Sequence, residues 1–186
     1  MATEVVKGLI NVAEYHKMAE MGILKPDDRL ELIHGELYER NPIGSMHAGI
    51  VNKLAGLSNE LFKGKAVTGV QNPVQFDDRN EHEPDICLLK YRPDFFYASA
   101  HPVPADVLAI IEVSDASIRF DTEVKAPLYA LGGIPEYWII DLDNNWIEVH
   151  TNPKKGSNAS IQRYLPGEEI SLMEQRLSVN ELLILS

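Results

Sequence analysis

Val107-Leu108-Ala109-Ile110-Ile111-Glu112-Val113 is the stretch on which the reading of this chain turns. A continuous apolar run of this kind, reached through a loop carrying Pro93, Pro102 and Pro104, suits a central strand buried on both faces. Glu112 breaks the run near its C-terminal end. A carboxylate inside such a strand is costly unless it is ion-paired or bound to a cation. A second acid stands in a similar place: Asp85 follows Pro84 and opens the apolar strand Asp85–Leu89. Two such carboxylates on neighbouring strands would form a hard-oxygen pocket suited to Mg²⁺, which takes one or two carboxylates together with water and phosphate. The plainer alternative is a pair of strand-end carboxylates facing solvent.

Working outward, Asn11 is a good N-cap for a helix from about Asn11 to Met21, with Glu14 at the capping-box position. Arg29–Ile33 and Glu36–Arg40, set around His34-Gly35, read as a tight hairpin. Ser45 to Phe62 carries Ile50, Val51, Leu54, Leu57, Leu61 and Phe62 at helical spacing. Strands are expected at Ala66–Val70 and Val74–Phe76, then a helix over Asp121–Leu131 closed by Gly132-Gly133. Glu136–Asp141 and Trp146–Thr151 form a further strand pair. Asn152–Ser160 reads as a loop, Ile161–Tyr164 and Glu169–Leu172 as weak strands, and Val179–Leu185 as a short apolar helix or strand. Tyr137-Trp138 reads as core. The pattern is α/β (α+β), within one domain over residues 1–186.

The composition fits that reading. Apolar residues make up 45% and charged residues 24%, which excludes a disordered chain, a collagen-like repeat and a disulfide scaffold. A chain of 186 residues needs no metal or disulfide to fold, so any metal would serve chemistry. Cys87 stands alone, which excludes an internal disulfide and suggests a reducing compartment. With neither a signal-peptide pattern nor a membrane-length apolar run, the expectation is a cytoplasmic protein without membrane contact. The awkward number is charge: 17 Lys and Arg against 28 Asp and Glu leave −11. Composition alone argues against binding nucleic acid, because phosphate polymers are repelled at long range.

Two basic residues join the acids. Lys125 shares a helical face with Leu128 and Tyr129, so it points at the sheet; the alternative is a lysine that merely covers apolar surface. His47 lies three, four and seven residues before Ile50, Val51 and Leu54 and so faces inward, where a histidine satisfied by a carbonyl is the ordinary case. Glu31 and Glu36 frame the hairpin, and alternation leaves open which of them turns inward. His16, His34, His82, His101 and His150 show no metal-ligand spacing. Gly132-Gly133 follows a helix, so it is no phosphate loop, and Ser45 and Ser114 lack a nucleophile-elbow setting.

Taken in order, Glu31-Leu32-Ile33-His34-Gly35-Glu36, His47, Glu83-Pro84-Asp85-Ile86, Ile111-Glu112-Val113-Ser114, Asp121-Thr122-Glu123-Val124-Lys125 with Tyr129, and Gly133 to Asp141 resemble the Uma-two (Uma2) family of restriction-endonuclease-like proteins, within the PD-(D/E)XK nuclease superfamily. The resemblance runs from about Asn11 to Leu172. It implies a restriction-endonuclease-like mixed central β-sheet flanked by helices, with a metal at the sheet edge. It matches Asp85 to the Asp of the PD motif and Glu112 to the second acid, both holding Mg²⁺ (Mn²⁺ being a plausible substitute), with the Val113 carbonyl as a further ligand. The superfamily expects a lysine two residues after that acid, where this chain has Ser114; the family takes its lysine from the next helix, which selects Lys125. His47 and Glu31 fall at family positions that face the active site.

The implied activity is Mg²⁺-dependent hydrolysis of DNA phosphodiester bonds, associated with restriction or mobile elements. A homodimer is expected, because cutting two strands with one small site needs two copies. The other classes are a non-catalytic module that keeps the nuclease fold for binding or assembly, and a hydrolase of a small phosphorylated substrate. Lys53, Lys63, Lys65 and Arg119 are the cations available for a local phosphate-facing patch.

Overall fold

The computed structural model describes residues 7–94 and 96–183. Helix α1 (Val12–Glu20) begins as the sequence predicts: the Asn11 side chain accepts from the Glu14 N–H, and the Glu14 carboxylate accepts from the Asn11 N–H. The hairpin is β1 (Leu30–Ile33) and β2 (Glu36–Glu39), turned through His34 at φ 52° and Gly35 at φ 77°. Two consecutive left-handed residues give the turn whose twist suits paired antiparallel strands. Gly35 is needed for space as well, since a Cβ there would stand 2.8 Å from the Ile10 carbonyl oxygen and 2.9 Å from Leu9 Cβ. β4 (Val74–Asp77) and β5 (Asn80–His82) complete a small antiparallel sheet in the order β2-β1-β5-β4.

The main sheet contains β3 (Ala66–Val70), β6 (Ile86–Lys90), β7 (Val107–Ser114), β8 (Glu136–Asp141), β9 (Trp146–Lys154) and β10 (Ser157–Tyr164), in the order β10-β9-β8-β7-β6-β3. Its pairs are antiparallel except β7 with β8. A parallel pair needs a crossover. Here that crossover holds α3 (Ile118–Phe120), a π-helical turn over Asp121–Lys125, and α4 (Ala126–Leu131).

β7 lies in the interior of the sheet, and all its residues but Leu108 are buried. Ala109, Ile111 and Val113 join Ile86, Leu88, Trp138 and Ile140 beneath α2 (Ser45–Leu61). Ile110 joins Cys87, Tyr137, Ile139, Ala126 and Tyr129 on the other face. Strands β11 (Glu169–Leu172) and β12 (Gln175–Ser178), then α5 (Val179–Leu182), add Ile170, Leu177 and Leu182 to the first core. The result is the expected mixed sheet with helices on its faces.

Two sequence expectations need correction, and one strand gives no signal in the sequence. Asn152–Ser160 is not a loop: β9 continues to Lys154, β10 starts at Ser157, and Lys155 and Gly156 turn between them at φ 48° and 82°. None of residues 151–160 is buried, so no apolar alternation marks the hairpin there. β5 was invisible for a related reason, being Asn-Glu-His, polar throughout yet wholly buried. The crossover helix starts at Ile118, before the expected Asp121. Residues 184 and 185 of the expected final element lie outside the described residues. Among the described residues, no helix is long and apolar enough to cross a membrane.

His82 sits within the second core, its ring centroid 4.9 Å from that of Phe76 and 5.5 Å from that of Tyr129. Neither ring nitrogen has a hydrogen-bond partner among the described residues. Burial pushes its pKa from 6.5 down to about 3, so the folded protein holds it neutral.

Two stability predictions follow from these local constraints. Gly35→Ala should lower the unfolding free energy by about 2 kcal/mol or more, from left-handed strain plus the clash. Gly64→Ala, at φ 72° with no atom within 4 Å of the new Cβ, should show strain alone, about 1 kcal/mol by urea midpoints. For His82, the unfolded chain takes up a proton below about pH 6.5 whereas the folded chain waits until about 3. Its contribution to stability is therefore whole above pH 6.5 and is lost toward pH 3, with a slope of up to about 1.4 kcal/mol per pH unit. His82→Leu should flatten that slope, whatever its stability at neutral pH.

Candidate active site

The β6–β7 ladder runs to the pair Ile86–Ile111. One step further, Asp85 faces Glu112, and side chains take over from the backbone ladder. The Val113 N–H donates to Asp85 Oδ2 at 3.0 Å, and the Asp85 N–H donates to Glu112 Oε2 at 3.3 Å. By strand alternation Asp85 shares the face of Cys87, and Glu112 that of Ile110, so both carboxylates point to the side covered by α4. The neighbouring Ser114 carbonyl accepts from Leu142 on the β8 side. The Val113 carbonyl therefore points to the opposite edge, where Asp85 stands.

Neither acid faces solvent; each is 2% exposed. Asp85 Oδ1 accepts from Arg40 Nη2 and from Gln71 Nε2, each at 3.0 Å. His47 Nε2 stands 3.2 Å from the same oxygen, close enough for an ion pair but out of line for a hydrogen bond. Burial alone would raise the Asp85 pKa, but His47, Gln71 and Arg40 hold it well below the usual carboxylate range. Glu112 Oε1 accepts from Lys125 Nζ at 2.9 Å and from the Tyr129 hydroxyl at 2.8 Å. Burial pushes the Glu112 pKa up, Lys125 opposes the rise, and Asp85 adds to it.

Lys125 Nζ also lies 3.3 Å from Glu31 Oε2. Burial would favour the neutral amine, but Glu112 and Glu31 reverse the direction and hold Lys125 protonated. The hairpin ambiguity is resolved too. Glu31 is buried, with its Oε1 accepting from the Glu83 N–H at 2.9 Å, whereas Glu36 turns outward to pair with Lys7. The structure thus brings all five expected side chains together: Asp85, Glu112, Lys125, His47 and Glu31 line one pocket of ≈ 300 Å³.

The helix that carries Lys125 is not regular. Ala126 N–H bonds to the Asp121 carbonyl five residues back, and Pro127, which follows, has no N–H to give. The widened turn buries both Asp121 and Lys125, four residues apart, and both line the pocket. Such π-turns often mark functional sites. Asp121 Oδ2 accepts from the Ser117 hydroxyl at 2.6 Å. At the lip, the Tyr38 and Phe120 rings meet at 5.3 Å.

Sequence reading missed Arg40, Gln71 and Asp121. Arg40 lies at the end of a hairpin strand, where an arginine normally meets solvent. Gln71 takes φ 50°, a backbone state that its residue type does not announce. The cations expected to meet phosphate are not at the pocket: Lys53, Lys63 and Lys65 are exposed elsewhere, and Arg119 pairs with Glu123. The pocket's own cations are Arg29, Arg40 and Lys125. Its deep part sets Glu31, Asp85, Glu112 and Asp121 against Lys125 and Arg40. An excess of carboxylate fits a hard divalent cation, with the His47 imidazole standing beside Asp85.

The family model Uma2, described as "Putative restriction endonuclease", matches residues 12–182. Among solved structures, the chain is similar to the crystal structure of "a putative nuclease belonging to DUF820" from Anabaena variabilis ATCC 29413. The TM-score is 0.73 at 17% identity, covering 93% of this chain and 97% of that one, which is a likeness of fold. No curated protein matches the chain.

The ion-pair arrangement carries its own prediction, independent of any activity. Lys125→Met leaves Glu112 and Glu31 buried without their shared cation, and should cost about 3–5 kcal/mol of stability in metal-free buffer. Adding Glu112→Gln should recover much of that loss. Urea unfolding in the presence of EDTA measures both; a Lys125→Met variant as stable as the parent would mean that the lysine is not holding the carboxylates.

Proposed function

The chain belongs to the Uma2 family, and on that footing we propose that it is a Mg²⁺-dependent endonuclease that hydrolyses DNA phosphodiester bonds. The observation that carries the proposal is the meeting of Asp85, Glu112 and Lys125, from two strands and a crossover helix, in the buried part of one pocket. Asp85 and Glu112 would hold the cation, with the Val113 carbonyl on the same edge as a third oxygen. When bound, Mg²⁺ supplies Lewis-acid neutralisation of charge on the phosphoryl group.

The chain's own groups perform the rest. Arg40 and Gln71 fix the Asp85 carboxylate and keep it ionised. Lys125 reaches Glu112 from the helix, taking the place that Ser114 leaves without an amine. Held as a cation, it keeps one N–H beyond those given to Glu112 and Glu31, and with it would orient the attacking water. It does not take the water's proton, which would pass to bulk water. Glu31 and the Tyr129 hydroxyl hold that ammonium and its carboxylate partner in place. His47 Nε2 stands 3.2 Å from Asp85 Oδ1 and would help to position that carboxylate for the cation. Arg29 adds positive charge to the pocket wall for the polyanion.

Supercoiled plasmid incubated with the protein and Mg²⁺ should be nicked, and EDTA should stop the reaction. Asp85→Asn, Glu112→Gln and Lys125→Met should each lower the rate by about a hundredfold or more. Nicking by Asp85→Asn at the parental rate would assign the activity to a contaminant. A folded parent that cuts no duplex, single-stranded or branched DNA with Mg²⁺ or Mn²⁺ would favour a binding module. The active form is taken as a homodimer; linear product appearing without a nicked intermediate would support it.

A further inference from the structure

On the far side of the small sheet from His82, β5 buries another carboxylate. Glu81 is 4% exposed and lies outside the pocket. Among the described residues it pairs with no Lys or Arg; its ion-pair partner is His16. Both Glu81 oxygens lie close to the same nitrogen, His16 Nε2, at 2.8 and 3.0 Å. A buried carboxylate without a fixed cation has reason to take one. A second imidazole stands beside it: the His101 ring meets the His16 ring edge-on at 5.7 Å. One potential ligand atom from each of His16, Glu81 and His101 lies within 4.8 Å of the other two.

We propose that His16, Glu81 and His101 form a second metal site, selective for a borderline transition-metal ion of the Zn²⁺ class. Two imidazoles with one carboxylate make a donor set used for Zn²⁺, whereas Mg²⁺ prefers oxygen alone. The donors are carried on backbone already held nearby. α1 is tied down by Val12 N–H to the Asp78 carbonyl at 2.8 Å and by the Tyr15 hydroxyl to the Leu30 carbonyl at 2.8 Å. The loop that carries His101 is tied by Gln75 N–H to the Pro102 carbonyl at 2.9 Å. The donors, already within 4.8 Å of one another, would have to close onto one ion at roughly 2.0–2.2 Å. His16 is 40% exposed at its side chain and His101 is exposed, so the fourth position opens to water. The ion would clamp three segments distant in sequence: helix α1, strand β5 and the loop before β7. The site does not depend on the nuclease proposal.

The test uses untagged, EDTA-stripped full-length protein titrated with ZnCl₂ by calorimetry, with Co²⁺ absorption as the probe of coordination. Parent protein should bind Zn²⁺ and gain about 5 °C or more in Tm at saturation. His101→Ala, which alters an exposed side chain, should weaken this binding at least about tenfold, as should Glu81→Gln. In Asp85→Asn, which removes a cation ligand of the pocket, the His101-dependent binding should persist. Absence of binding at about 100 µM Zn²⁺, or equal binding by His101→Ala, overturns the proposal. Loss in Asp85→Asn alone would place the ion in the pocket and overturn it as well.

Discussion

The ammonium of Lys125 lies between Glu112 and Glu31, 2.9 Å from an oxygen of one and 3.3 Å from an oxygen of the other. Unit charges 4 Å apart interact by roughly 4 kcal/mol at an effective dielectric of 20, so buried carboxylates cannot crowd together without such a counter-charge. The architecture supplies the charges from different places. The hairpin contributes Glu31 and Arg40, α2 contributes His47, β6 and β7 bring Asp85 and Glu112, and the π-turn delivers Lys125. The parallel β7–β8 step makes the last contribution possible, because its crossover carries the helix across the carboxylate face of the sheet.

The whole-chain charge of −11 takes on a different meaning in this light. Among the described residues, six buried carboxylates (Glu31, Glu81, Asp85, Glu112, Asp121 and Asp141) face one buried lysine. Nearly half of the formal excess therefore lies inside, where a polyanion at the surface does not meet it directly. Composition averages over depth and so overstates the repulsion. What remains outside still disfavours tight non-specific binding, and under the proposed function local approach would fall to Arg29 and Arg40 at the pocket.

Much of the frame was legible because its periodicity is strong: the two-face-buried β7, the spacing along α2, and the His34-Gly35 turn. Asp85, Glu112 and Lys125 stood out as charged residues in apolar patterns, which burial makes informative. Other features leave no such trace. β5 is buried without being apolar, and the left-handed Gln71 could be any polar residue of a loop. The π-turn has no pattern of its own; Pro127 was its one signal, and proline early in a helix usually means nothing more than a first turn. The His16–Glu81–His101 group joins residues from three elements, so no local spacing could reveal it.

Glu31 and Lys125 are separated by 94 residues, and that distance matters for how the molecule comes into being. Closing a long loop costs entropy before the contact repays it, so non-local contacts of this kind form late in folding. A chain emerging from its N-terminus exposes Glu31, Arg40, His47 and Asp85 well before Glu112 and Lys125 exist. The half-made set lacks both the second strand acid and the amine. The pocket is therefore a late product of synthesis, absent from any nascent chain that has not yet delivered the crossover helix.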